Sequence, residues 1–98
     1  MNNQKPLRWT EHARYKMRQY GLSETRVKRV LAHPVRTEAG IAPSTVALMQ
    51  NTTTKRPQEI WIMYQDSKIE RTIIAAWRYP GVSHPRDPAP FPDDLMKK

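Results

Sequence analysis

Residues 10–31 read TEHARYKMRQYGLSETRVKRVL, and this stretch decides the fold. Thr10 and Ser23 are residue types that cap helix N-termini, because their hydroxyl oxygens accept a hydrogen bond from a backbone N–H in the first turn. Gly21 lies between the two segments, where a residue in the left-handed region commonly ends a helix. The stretch therefore predicts two short helices separated by a glycine.

Each predicted helix carries one apolar stripe. In the first helix Ala13, Met17 and Tyr20 recur at intervals of four and three residues, which brings their side chains to one face. The buried side of the second helix is formed by three residues: Val27, Val30 and Leu31. Pro34 disfavours helical angles in the residue before it, so the second helix should end by about Ala32.

The pattern after the second helix is typical of a sheet. Runs rich in β-branched and aromatic residues predict strands at residues 35–38, 45–50, 59–65 and 69–79, with a weaker leading strand at 5–9. Short connections favour antiparallel neighbours. We therefore predict an α+β domain over residues 1–79, in which two N-terminal helices pack on an antiparallel sheet of three to four strands.

Residues 80–98 form a proline-rich C-terminal tail. They contain five of the chain's nine prolines and show no hydrophobic periodicity. This composition predicts an extended tail that either wraps over the body, with Phe91 and Leu95 as anchors, or is disordered.

Positive charge is concentrated at the N-terminus. Residues 1–36 hold nine lysines and arginines against two glutamates, a net charge of +7 out of the chain's total of +8. With a pI near 10.2 the chain is expected to attract RNA, DNA, anionic membranes or an acidic protein. The dense cationic face that opens the domain makes a polyanionic partner the leading expectation.

Several classes of protein are disfavoured by composition. The chain has no cysteine, which excludes disulfides and thiolate metal sites and is compatible with a reducing compartment. The N-terminal residues lack the apolar core of a signal peptide, and no segment approaches the ~20 apolar residues that span a bilayer. We therefore expect a cytoplasmic protein with no membrane partner.

Residues 10–23 resemble the opening of a family of small domains whose sequences follow the pattern (S/T)-x-H-A-x-x-R-M-x-x-R-G-(I/L)-(S/T). These domains are distantly similar to the RelE and BrnT toxins of bacterial toxin–antitoxin pairs. Lys16 stands where the pattern has an arginine and keeps the charge. Tyr20 stands where it has a second arginine and removes a charge.

The resemblance implies a RelE/BrnT-like fold and a toxin-like, RNA-directed protein. Its enzymatic version is an endoribonuclease that needs neither metal nor cofactor. The partners that it implies are RNA or the ribosome, and an acidic, antitoxin-like protein.

Four residues are candidates for catalysis of RNA cleavage: His12, Arg71, Arg78 and Tyr79. Histidine titrates near neutral pH and serves as acid or base, arginine stabilises a phosphorane, and tyrosine donates a proton or stacks on a base. Three of them have a structural alternative. His12 could fix the first helix to the sheet, Arg71 could pair with a carboxylate such as Glu59, and Arg78 could be a solvated charge. Strict alternation would place the two arginines on opposite faces.

Six cations on the two helices are candidates for nucleic-acid binding: Arg14, Lys16, Arg18, Arg26, Lys28 and Arg29. The structural alternative is an ordinary solvated helix surface, but two adjoining helices of one charge favour a binding surface. The three histidines lack a metal-ligand spacing. Three hypotheses therefore stand: a metal-independent ribonuclease, a non-catalytic nucleic-acid-binding module, and a module that docks an acidic protein.

Overall fold

The computed structural model describes residues 5–81, which form two helices and one five-stranded sheet. The helices are α1, Glu11–Tyr20, and α2, Glu24–Ala32. The strands are β1, Leu7–Trp9; β2, Arg36–Ala39; β3, Val46–Asn51; β4, Gln58–Asp66; and β5, Arg71–Pro80. The predicted α+β class and the two N-terminal helices are confirmed.

Local capping chemistry sets the helix boundaries. The hydroxyl oxygens of Thr10 and Ser23 each accept a hydrogen bond of 3.0 Å from the backbone N–H three residues on. Gly21 adopts φ 67°, and Leu22 N–H donates to the Met17 carbonyl at 2.8 Å. This arrangement closes the C-terminus of α1 and turns the chain into α2.

The sheet has the order β1-β5-β4-β3-β2. Strands β2 to β5 form an antiparallel meander, whereas β1 runs parallel to β5 with Leu7 beside Arg71. The expectation of a purely antiparallel sheet of three or four strands is therefore corrected to a mixed sheet of five. The weakly predicted leading strand is real, and its three residues cover part of the otherwise open edge of β5.

A β-bulge in β5 changes which side chains share a face. Met63 pairs with Ala75 and Tyr64 pairs with Ile73, so Ile74 is an extra residue in β5. The alternation of side chains therefore shifts at this point. The expectation that Arg71 and Arg78 lie on opposite faces is wrong: both lie on the face that the helices cover.

The sheet has a buried apolar layer on each face. On the helix side the layer contains Ala13, Met17, Leu22, Val27, Val30, Leu48, Ile60, Ile62, Tyr64, Ile73 and Ala76. On the other side, which we call the tryptophan face, it contains Ala47, Met49, Trp61, Met63, Ala75 and Trp77. The rings of Trp61 and Trp77 are stacked, with centroids 6.3 Å apart and planes 7° from parallel. Trp77 is thus a core residue.

Two further predictions concern membrane-spanning segments and the C-terminal tail. In the described part of the chain, neither helix has the length and apolar character needed to cross a membrane. The predicted tail at 80–98, with Phe91 and Leu95 as anchors, lies outside the described residues except for Pro80, the last residue of β5, and Gly81.

Candidate nucleic-acid interface

Three guanidinium groups gather on the helix side of the sheet, and we call them the arginine cluster: Arg26, Arg29 and Arg78. Arg26 and Arg29 lie about one turn apart on α2. The pKa of Arg26 lies below its ordinary value, first because burial removes water from the side chain and then because the charges of Arg29 and Arg78 repel its own. The fold therefore brings like charges together at this place.

Arg78 is fixed by neutral oxygens. Its Nε donates to the Tyr20 carbonyl at 2.7 Å, and its terminal nitrogens lie 3.4 Å from the Gly21 carbonyl and 3.3 Å from Oε1 of Gln58. The last carbonyls of a helix carry the negative end of its dipole, so this position suits a cation. The Arg78 guanidinium is held in place while its charge is retained.

Arg26 is fixed in a similar way from the other side. It donates a short hydrogen bond to Oε1 of Gln50, whose Nε2 donates to the His33 carbonyl at 3.1 Å. An amide oxygen accepts such a bond without cancelling the positive charge. Among residues 5–81 no carboxylate oxygen lies within 4.0 Å of a nitrogen in the arginine cluster.

Arg71, in contrast, is neutralised. Its guanidinium donates to both oxygens of Asp66, at 2.7 and 3.0 Å, and lies 4.0 Å from the centroid of the Tyr64 ring. The hydrogen bond from Arg71 lowers the pKa of Asp66, and the same bond raises the pKa of Arg71. The predicted alternative of a cross-strand pair is therefore the geometry found, with Asp66 as the partner and not Glu59.

Two further arginines have carboxylate partners. Arg14 donates to Glu24 at 2.8 Å, which joins α1 to the start of α2. Arg36 forms a short pair with Glu38 and lies 3.6 Å from an oxygen of Glu59. These two arginines therefore differ from those of the arginine cluster, because a carboxylate neutralises the charge of each.

The other helix cations differ in exposure. Arg18 and Lys28 are exposed, as expected of a binding surface. Lys16 departs from that expectation because only 1% of it is exposed. Its Nζ donates to Oε1 of Gln19 at 3.1 Å and lies 5.7 Å from the centroid of the Tyr20 ring. Lys16 immediately precedes Met17 and so lies at the border of the apolar stripe. This position in the sequence could have indicated that Lys16 is buried.

The four candidate catalytic residues do not meet at one point. His12 is exposed in the first turn of α1, and Tyr79 packs against the tryptophan face. Arg71 and Arg78 lie seven residues apart on β5, about 23 Å along a strand. Acid–base cleavage requires its groups within hydrogen-bonding reach of the same phosphate. The structure does not assemble these four residues into such a site.

Metal chemistry has no evident site in the described part of the chain. No group of three or more histidine, aspartate or glutamate side chains there has an arrangement that could hold a metal ion. His12 and His33 are both exposed, and His84 lies outside residues 5–81.

Comparisons of the chain with protein-family models, with curated proteins and with solved structures returned no match. The resemblance to RelE and BrnT toxins therefore stays a prediction that rests on the motif at residues 10–23. Any argument about function depends on the geometry of the side chains described above.

Sequence reasoning missed the residues that organise the arginine cluster. Gln50 and Gln58 are single polar residues near the ends of β3 and β4, and nothing in their spacing distinguishes them. Arg78 was assigned to catalysis, whereas it lies with Arg26 and Arg29, two of the residues predicted to bind nucleic acid. The link between β5 and α2 depends on tertiary packing and has no local signal.

Proposed function

We propose that this chain is a toxin-like, RNA-directed protein that binds RNA phosphates through the arginine cluster. The observation that carries the proposal is that Arg26, Arg29 and Arg78 lie near enough for their charges to repel, while no carboxylate oxygen lies within 4.0 Å of their nitrogens among residues 5–81. Such a site has a net positive charge that an anion would stabilise. The planar fork of a guanidinium group also matches two oxygens of a phosphate.

The proposed surface extends from the cluster along the helices. Exposed Arg18 and Lys28 add two positive charges on the same pair of helices. Arg14 contributes less because Glu24 neutralises it. A row of separated cations suits a polymer of phosphates, since each additional contact releases a counterion from the nucleic acid.

The geometry supports binding over cleavage. His12 lies on α1, whereas the other three candidate catalytic residues are spread along β5 on both faces of the sheet. Arg71 is also paired with Asp66. We therefore propose that the toxin-like protein binds RNA without cleaving it. A cytoplasmic location, where RNA is found, is part of the proposal. The absence of cysteine from the chain is compatible with the reducing conditions there.

The test compares two double variants that remove the same net charge. Arg26→Gln with Arg29→Gln removes two charges from the arginine cluster, whereas Arg14→Gln with Arg71→Gln removes two that are already paired. Binding to a fluorescent single-stranded RNA is measured by anisotropy. Because a charge-assisted hydrogen bond contributes about 1.5–3 kcal/mol, we expect the cluster variant to lose at least about tenfold in affinity. The control should lose much less, and equal losses would contradict the proposal.

The same samples separate the competing hypotheses. His12→Ala should leave RNA binding unchanged. Cleavage of the RNA by the wild-type protein, lost in His12→Ala, together with growth arrest on induced expression, would instead favour the ribonuclease. An acidic protein that co-purifies stoichiometrically, with no affinity for RNA, would favour the protein-docking module.

A further inference from the structure

The tryptophan face is buried although the helices pack on the opposite side of the sheet. Trp61 and Trp77 are 0% and 1% exposed, and Met49 and Met63 are 2% and 3% exposed. Among hydrophobic residues 5–81, those packed against this layer are few: Tyr20, Ile74 and Tyr79. A sheet face buried to this degree requires a second layer of structure over it.

The centre of this face is a rigid aromatic platform. Trp61 and Trp77 are stacked on neighbouring strands. Glu59 accepts a 2.9 Å hydrogen bond from Nε1 of Trp61, and the Arg36 guanidinium lies 5.0 Å from the centroid of a Trp61 ring. Aromatic surfaces of this kind bind proline-rich segments, whose extended helix is already ordered before docking.

The chain itself supplies such a segment. Residues 82–98 follow Gly81 directly, and they include Pro85-Arg86-Asp87-Pro88, which has the P-x-x-P spacing. A polyproline helix has three residues per turn, so Pro85, Pro88 and Phe91 would share one side of it. We propose that residues 82–98 cover the tryptophan face and that this side lies against Trp61 and Trp77.

Chain length and connectivity agree with this occupant. The segment begins where Gly81 N–H donates to the Pro57 carbonyl at 3.1 Å, beside the end of β5. Seventeen residues in extended form reach about 50 Å, whereas five strands are about 20 Å across. The segment is therefore long enough to cross the whole face from its starting point at the end of β5.

The proposal concerns the face opposite the arginine cluster and does not depend on RNA binding. The tryptophan face becomes an intramolecular docking site for a proline-rich ligand. A second copy of the chain, or a proline-rich segment of another protein, would compete for the same platform.

The direct test is nuclear Overhauser spectroscopy on the full-length protein. We expect contacts from ring protons of Pro88 and Phe91 to the indole protons of Trp61 and Trp77. A sample that mixes labelled and unlabelled chains distinguishes contacts within a chain from contacts between copies. Contacts only between copies would overturn the proposal in favour of a dimer, and an absence of contacts from residues 82–98 would overturn it altogether.

Matched variants test whether the side formed by Pro85, Pro88 and Phe91 is the one that contacts the tryptophan face. Pro88→Ala lies on the predicted contact side, whereas Pro90→Ala makes the same substitution off that side. We expect Pro88→Ala to raise the hydrogen-exchange rates of the Trp61 and Trp77 indoles several-fold, and Pro90→Ala to leave them nearly unchanged. Equal effects of the two proline substitutions would contradict the register.

Discussion

Two glutamines determine how much positive charge the helix side of the sheet presents. Gln50 accepts a hydrogen bond from Arg26, and Gln58 accepts one from Arg78. A carboxylate at either position would also accept the arginine's hydrogen bond, but it would cancel the arginine's charge, as Asp66 does for Arg71. Neutral acceptors therefore orient guanidinium groups that remain available to an external anion.

The Asp66–Arg71 pair gives a pH-dependent prediction. Because Arg71 lowers the pKa of Asp66, the pair stabilises the fold above the unfolded-state pKa of about 3.9 and loses this contribution as the pH falls through the lower pKa of the folded state. Asp66→Asn should cost roughly 0.5–1 kcal/mol at pH 7, since solvent screens a pair at the surface. Urea unfolding should find that the difference in stability from wild type shrinks as the pH falls below about 3.9.

The control for this prediction is Glu70→Gln, in the turn beside the pair. Among residues 5–81 Glu70 has no ion pair, so its substitution should change stability little at either pH. A stability difference for Asp66→Asn that stays constant between pH 7 and pH 2 would contradict the assignment.

At the scale of elements, Thr10 links α1 to the bulge in β5. Its hydroxyl oxygen accepts from the Ala13 N–H at 3.0 Å and lies 3.1 Å from the Ile73 carbonyl, to which it donates. Ser23 also accepts from the backbone at the start of α2. One threonine thus both caps a helix and fixes its position on the sheet.

Thr10→Ala should therefore be more destabilising than Ser23→Ala. We expect about 1–2 kcal/mol for Thr10→Ala and roughly 0.5–1 kcal/mol for Ser23→Ala, measured as free energies of unfolding in urea. Thr10→Ser keeps both hydrogen-bonding roles and should restore much of the loss. Equal costs for the two alanine variants would indicate that the bond to Ile73 contributes nothing.

The helices could be predicted closely and the strand faces could not. Helix ends depend on local chemistry at Thr10, Gly21 and Ser23, which is visible in the sequence. The bulge at Ile74 leaves no such signal, because isoleucine and alanine fit either face of a strand. One extra residue was enough to move Arg71 onto the same face as Arg78. It therefore also changed which side chains could be expected to lie near each other.

At the scale of the whole molecule, the sheet separates two kinds of surface. The helix side carries the arginine cluster and the exposed cations Arg18 and Lys28. The other side carries the stacked tryptophans, and its arginine, Arg36, is paired with Glu38 and Glu59. The total charge of the chain predicted a polyanionic partner, but the division between neutralised and unneutralised arginines required the three-dimensional structure.

The central claim is that unneutralised charge in the arginine cluster binds RNA, and Gln50→Glu tests it most directly. This substitution keeps every arginine and nearly the same side-chain shape while placing a carboxylate beside Arg26. Gln65→Glu, at an exposed position on β4, adds the same charge elsewhere. The measurement is RNA affinity as a function of salt concentration.

We predict that Gln50→Glu weakens binding several-fold and makes the slope of log affinity against log salt shallower by about 0.7, the value for one lost phosphate contact with a single strand. Gln65→Glu should leave the slope close to that of the wild type. Equal changes in affinity and slope for the two variants would contradict the account.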